Sequence, residues 1–322
     1  MEARDLGHVA AHFHPLEDLF GNCYIKRYPD GSAKVIAAER AVFRAPGFEA
    51  AGYGGGQERR RVERLAGYEW DPSMLEDEEE AYACAERGGM ADDNKEVRNR
   101  LRAQRRAKTA VEDLCRSNDF RWFVTLTLDG AKVDRYDVAA VTRKLNAWLS
   151  NRVQKDGLRY VLVAERHKDG AIHFHGFMSD SISYVDSGTI AGIKPKPAKP
   201  RSAKERARWL EQGGHVVYNL PAWTLGYTTA IELYGERRAA IGYVVKYITK
   251  AQDKVGGRWY YSGGALRRPE VEVVRVDFGA LLAVPGAYSF LLGDLGCRCC
   301  MFETGPDGTV MSKGGKQDVQ AG

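Results

Sequence analysis

From residue 121 onward the chain alternates between two hydrophobic periods. RWFVTLTL (121–128) is rich in β-branched and aromatic residues and reads as a strand. Val141, Leu145, Trp148 and Leu149 then recur at helical spacing, and Asp137 stands where an N-cap belongs, which predicts a helix through about Lys155. RYVLVAERH (159–167) and AIHFHGFMS (171–179) are two further strands, with KDG between them as a tight turn. Residues 180–214 form a long insertion with three Lys-Pro pairs and a short charged helix around 202–212. A fourth strand falls within 215–234, where HVVYNL and YTTAIEL are both β-rich, and ERRAAIGYVVKYITKA (236–251) is helical.

The flanks are less regular. CYIKRY and AKVIAA, joined by PDGS, predict a hairpin, and AGYGGG (51–56) reads as a flexible joint. Residues 57–95 are highly charged and weakly periodic, so helices there are marginal or the segment is partly disordered. Residues 94–117 predict a long helix with Val97, Leu101, Ala107, Val111 and Leu114 on one stripe. RWYYSGG (258–264) and the apolar run around 278–292 extend the core. The order β-α-β-β, then an insertion, β and α, predicts an α+β fold: a mainly antiparallel sheet with helices on one face. This divides the chain into an accessory region (1–93), a main domain (94–295) carrying the insertion, and a disordered tail (296–322).

Composition narrows the class. The 322 residues are 44% hydrophobic and 28% charged, ordinary values for a soluble globular protein. No run of 18 apolar residues and no signal-peptide core is visible, so the expected location is the cytoplasm, with no membrane partner. The six cysteines make no disulfide framework, and the C-R-C-C cluster at 297–300 lacks a second ligand pair at zinc spacing, which favours reduced thiols. Net charge is only +5, but RNRLRAQRRAK (98–108) and KPKPAKPRSAKERAR (194–208) are dense in cations. Such blocks suit an anionic partner, nucleic acid first, with Lys194, Lys196, Lys199, Arg201, Arg206 and Arg208 as the candidate contacts. A solvated helix face would read the same way by charge alone.

The chemistry concentrates in AIHFHGF. Strand period places His173 and His175 on one face and Phe174 on the other. An isolated H-x-H is more often two polar residues on a wet strand, so the neighbours decide. In a three-residue loop 168–170, Gly170 takes the position that needs positive φ. Glu165 then lies opposite His173 and Val163 opposite His175, so one carboxylate and two imidazoles share a face. That donor set suits Mn²⁺ or Mg²⁺. A Glu–His hydrogen bond without metal is the alternative, and a two-residue loop would send Glu165 to the other face. His167 is a further candidate ligand at the hairpin end; His12 and His14 repeat the spacing but precede Pro15 and sit in no strand-like run.

Tyr243 and Tyr247 lie one helical turn apart on one face, with Lys246 beside them and Lys250 three residues on. A phenol is a weak nucleophile until an ammonium stabilises its phenolate or a metal polarises its target. Two amphipathic tyrosines at the edge of a core are the common alternative.

With those residues in place, the chain resembles the HUH endonucleases, specifically the rolling-circle replication initiators (Rep proteins) of bacterial plasmids and small single-stranded DNA phages. FVTLTL (123–128) is similar to motif one, AIHFHGF to the histidine–hydrophobic–histidine motif two, and YVVKYITK (243–250) to the two-tyrosine form of motif three. The resemblance covers roughly 95–270 and implies a ferredoxin-like or RRM-like sheet with metal on its central strands. It implies His173, His175 and Glu165 as ligands, Tyr243 and Tyr247 as nucleophiles, and Lys246 and Lys250 as phosphate or phenolate contacts. The implied activity is a site-specific nickase: a tyrosine attacks one strand of origin DNA, forming a 5′-phosphotyrosine and freeing a 3′-OH primer. Single-stranded or hairpin origin DNA is the implied partner. No G-x-x-x-x-G-K-[ST] loop is present, so unwinding falls to a host helicase and replication machinery. A relaxase or single-strand transposase of the same superfamily, and a non-catalytic RRM-like nucleic-acid-binding protein, are the competing readings.

Overall fold

Trp122, Val124, Leu126 and Leu128 are buried while Phe123, Thr125 and Thr127 between them are half-buried, so this strand presents two different faces. A computed structural model describes residues 20–44, 93–233, 237–250, 253–292 and 297–311. The joint at 51–56, the charged stretch 57–92 and the His12/His14 pair lie outside the described residues.

In chain order the elements begin with β1 (Phe20–Gly21), β2 (Cys23–Arg27), β3 (Ala33–Ala38) and β4 (Phe43–Arg44). Helix α1 (Asp93–Ser117) precedes β5 (Trp122–Leu128), α2 (Val138–Asp156), β6 (Tyr160–Arg166) and β7 (Ile172–Met178). Then come β8 (Val185–Ala191), α3 (Ala203–Glu211), β9 (His215–Asn219), β10 (Gly226–Glu232), α4 (Arg237–Lys250) and β11 (Tyr261–Gly263). The C-terminal elements are β12 (Glu270–Val274), α5 (Phe278–Leu282), β13 (Tyr288–Leu292), β14 (Cys297–Thr304) and β15 (Val310–Met311).

Two compact units result, one from Lys95–Arg268 and one from Met1–Asn94 with Pro269–Gly322. The Lys95–Arg268 unit is built on an antiparallel seven-stranded sheet in the order β11-β6-β7-β5-β10-β9-β8. β5, α2 and β6 make a crossover that leaves a one-strand gap, and β7 fills it, antiparallel to both. Asp137 caps α2 by accepting from the Ala139 and Ala140 amides, and Gly157, at φ 66°, ends it in the left-handed conformation. The fold is therefore α+β and mainly antiparallel, as the pattern predicts.

The helices, however, cover both faces rather than one. Val141, Leu145 and Leu149 of α2 pack on Val124, Leu126, Leu162 and Phe174. On the opposite face Val111 and Leu114 of α1 and Ile241, Val244 and Ile248 of α4 pack on Val161, Val163 and Phe177. YVLVA and IHFHGFM are buried throughout, the run expected of strands covered on both sides. Within 215–234 two strands form instead of one, and the insertion contributes β8 as well as the Ser202-capped α3.

The other unit holds a six-stranded sheet in the order β12-β2-β3-β14-β13, with β15 on β14. The predicted hairpin 23–38 is present. The boundary at 295 and the disordered tail from 296 do not hold: β12, α5 and β13 belong to this unit, and Cys297–Thr304 is an interior strand between β3 and β13. Cys297, Cys299 and Cys300 are buried there as small apolar side chains, with burial pushing the Cys300 thiol up to about 11. Residues 312–322 lie outside the described residues.

Candidate active site

The hairpin register is the predicted one. His167 N–H donates to the Ala171 carbonyl at 2.9 Å, Gly170 N–H to the His167 carbonyl at 2.8 Å, and Gly170 has φ +86°. Glu165 pairs with His173, Val163 with His175 and Arg166 with Ile172. Glu165, His173 and His175 therefore stand on one face, the face that α1 and α4 cover.

The neighbouring strand completes the row. Thr127 pairs with His173 and Thr125 with His175 across β5 and β7. The Thr125 hydroxyl shares a 3.0 Å hydrogen bond with His175 Nδ1, and the Thr127 hydroxyl a 3.1 Å bond with His173 Nδ1. Both imidazoles are 8% exposed. Burial, then repulsion from His167 and His175, lowers the His173 pKa to about 4; burial lowers that of His175 as well, against the pull of Glu165. Neutral imidazoles with Nδ1 engaged leave Nε2 as the ligating atom. These two threonines were missed from sequence because nothing local tells which strand pairs with β7; the alternating T-L-T was the one available signal.

His175 Nε2 meets Glu165 Oε2 at 2.8 Å, and the His167 ring stacks on His173 with centroids 3.7 Å apart. Among the described residues, no three His, Cys, Asp or Glu side chains are set around a common point. Two neutral imidazoles oriented from behind and a carboxylate within hydrogen-bonding reach nonetheless form a donor set whose chemistry fits a divalent cation.

α4 delivers the tyrosines to this cluster. The Tyr247 ring lies parallel to His175 within 8°, centroids 4.6 Å apart. Tyr247 donates its phenolic hydrogen to the Tyr243 oxygen, and Tyr243 packs edge-on against Phe123 of β5. Burial, the Tyr243 hydrogen bond and the charge of Glu165 together push the Tyr247 pKa well above the usual phenol value. Tyr243 is 49% exposed. Lys246 is exposed on the same helix; Lys250 is its last residue, and the Lys250 side chain lies outside the described residues.

The basic insertion is not gathered here. β8 lies four strands from β7, about 19 Å along the sheet at ordinary strand spacing. Lys194 sits 4.8 Å over Trp209, Arg206 pairs with Asp186 at 2.6 Å, and Arg208 lies 3.7 Å from Glu205. Lys196, Lys199 and Arg201 are exposed.

Fold and cluster together define an α+β protein that collects two imidazoles, a carboxylate and two phenols on one face of an antiparallel sheet. Residues 121–252, less than half of the chain but the whole of this cluster, match the family model for Replication-associated protein ORF2. That match is consistent with a rolling-circle Rep-type protein and with a role in DNA replication. No curated protein and no solved structure matches the chain. Among the described residues no helix is long and apolar enough to cross a membrane.

Proposed function

We propose that this protein is a rolling-circle replication initiator of the two-tyrosine HUH type, nicking one strand of origin DNA by tyrosine transesterification. The observation that carries this reading is the stacking of Tyr247 on His175, which brings a nucleophile-bearing helix against the one carboxylate–imidazole cluster of the sheet. The ferredoxin-like topology expected of such proteins is supported by the β5-α2-β6 crossover around β7.

Glu165, His173 and His175 are the residues that would hold Mn²⁺ or Mg²⁺. Such an ion supplies Lewis-acid polarisation of a phosphate. Thr125 and Thr127 orient the two imidazoles. Tyr243 Oη attacks phosphorus: the Oη–P bond forms, the P–O3′ bond breaks, the phenolic proton is given up and the departing 3′ oxygen takes one. The hydrogen bond that Tyr247 donates stabilises the negative charge on Tyr243 Oη once its proton leaves. Lys246, one position from Tyr247, is placed on α4 to meet the phosphate. Tyr247 keeps its own proton in this state and is available for a second transfer.

The 2.8 Å Glu165–His175 hydrogen bond is also what a metal-free, non-catalytic RRM-like binder would show. One assay separates the two. The full chain is incubated with single-stranded origin DNA and Mn²⁺, and a covalent adduct is sought on a denaturing gel. An adduct abolished by the Tyr243→Phe/Tyr247→Phe pair is expected; folded protein that binds the DNA and gives no adduct overturns the nickase reading.

A further inference from the structure

A groove of about 750 Å³ opens in the Lys95–Arg268 unit between α1 and the segment leading into β11. Its walls carry Arg102 and Arg106 from one side and Arg258, Trp259, Tyr260 and Ser262 from the other, over a floor of α1 alanines. Three guanidiniums face a cavity whose described lining contains no carboxylate. Lys254 adds a further cation 5.9 Å from the Trp259 ring centroid. The volume falls within the ~300–1,000 Å³ of sites that hold small ligands, too confined for a duplex.

The groove lies on the face that carries the tyrosines. Ser262 pairs with Val161, and Val161 pairs with Phe177. The next residues on that face are Val163 and His175, themselves a pair. Two strand spacings and one pleat repeat put Ser262 roughly 12 Å from His175. Cations that track phosphates, interleaved with aromatic rings, are the surface that single-stranded nucleic acid uses regardless of sequence.

We propose that this α1–β11 groove binds the single-stranded DNA that flanks the phosphate presented to Tyr243 and Tyr247. It is a second contact surface, separate from the basic insertion at the opposite edge of the sheet. The proposal rests on the DNA-nicking reading for its ligand and extends it to residues that take no part in the chemistry.

The test uses the full chain carrying Tyr243→Phe and Tyr247→Phe, which leaves binding without cleavage, and a fluorescein-labelled single-stranded oligonucleotide read by anisotropy at several salt concentrations. Arg106→Glu with Arg258→Glu is compared with Arg143→Glu and Lys144→Glu, two exposed cations of α2 on the other face of the sheet, with the same change in net charge. The groove pair is expected to weaken binding at least about 10-fold beyond the control pair and to lower the salt slope by about 2. An oligonucleotide carrying 5-iodouracil should photocrosslink within 258–262. If charge reversal lowers the melting temperature, the same positions as Gln are compared instead. Equal losses in the groove and control pairs, with the parent binding well, overturn the groove while leaving the nickase reading intact. Displacement of the oligonucleotide by thymidine monophosphate, sensitive to Arg106 and Arg258, makes it a mononucleotide site and also overturns the proposal. Failure of the parent chain to bind single-stranded DNA at all removes the DNA reading, and the groove's ligand with it.

Discussion

Tyr247 lies flat on His175, ring planes within 8° of parallel and centroids 4.6 Å apart. The contact joins residues from two elements, α4 and β7, that share no local sequence signal. It fixes the height of α4 over the sheet, and with it the position of Tyr243 one turn earlier. A hydrogen bond from Tyr247 to Tyr243 then makes the two phenols unequal: one donates its proton, the other is free to release it.

That inequality predicts an order of attack. Tyr243→Phe should cut adduct formation on single-stranded origin DNA with Mn²⁺ by about 10³-fold or more, the scale of losing an acting nucleophile. Tyr247→Phe should leave the first adduct within about tenfold, the equivalent of one lost hydrogen bond. Equal losses on a quantified denaturing gel would sink the assignment of roles.

A divalent cation held by Glu165, His173 and His175 binds only the folded chain. Mn²⁺ at about 100 times its Kd should therefore add about 2.7 kcal/mol to stability. Thermal melts with and without Mn²⁺ read this directly, with no DNA present. His175→Ala and Glu165→Gln should each remove most of the rise; a rise that survives both places the ion elsewhere.

Thr125 and Thr127 hold Nδ1 of the two imidazoles, so their hydroxyls fix ring orientation and tautomer. Thr125→Val and Thr127→Val keep shape and lose the hydrogen bond. Each should weaken Mn²⁺ binding about 10- to 100-fold by isothermal titration, the usual cost of losing a partner behind a ligand. Thr→Ser at either site should restore it. Unchanged affinity in the Val variants means the hydroxyls only fill space.

The His173 pKa, lowered to about 4 in the folded chain from an ordinary 6.5, sets a pH dependence. Between those values the unfolded chain binds a proton that the folded chain does not, so stability falls as pH drops from 6.5 towards 4 and levels off below. The contribution is fully present above 6.5. In EDTA, the urea midpoint should drop over this window more steeply in wild type than in His173→Gln. Parallel profiles would show that His173 is not held neutral by the fold.

Gly176 follows the second histidine for a steric reason. A Cβ there would lie 2.0 Å from the Val161 carbonyl oxygen of β6. Gly176→Ala must push two central strands apart and should cost about 1–3 kcal/mol, read as a lower melting temperature and urea midpoint. Since β6 carries Glu165, Mn²⁺ binding should weaken in the same variant. A variant as stable as wild type would mean that the strands have room to separate.

The hairpin around KDG was legible because its geometry is local. A three-residue loop ending in a glycine at positive φ sets the register, and a period of two carries it from Gly170 to Glu165, His173 and His175. The cap and stripe of α2, the 23–38 hairpin and the tyrosine spacing on α4 were legible for the same reason: each depends on residues a few positions apart. What the tertiary structure decided is non-local. Which strand flanks β7, and so the role of Thr125 and Thr127, depends on pairing across about 50 residues. That helices cover both faces depends on where α1 and α4 dock, because a continuously apolar strand does not say what buries its second side. Cys297–Thr304 reads as a cysteine-rich tail until β3, more than 250 residues earlier, offers it an edge to pair with. Short-range backbone geometry is written in neighbouring residues; pairing between distant strands is chosen by burial and hydrogen bonding over the whole unit.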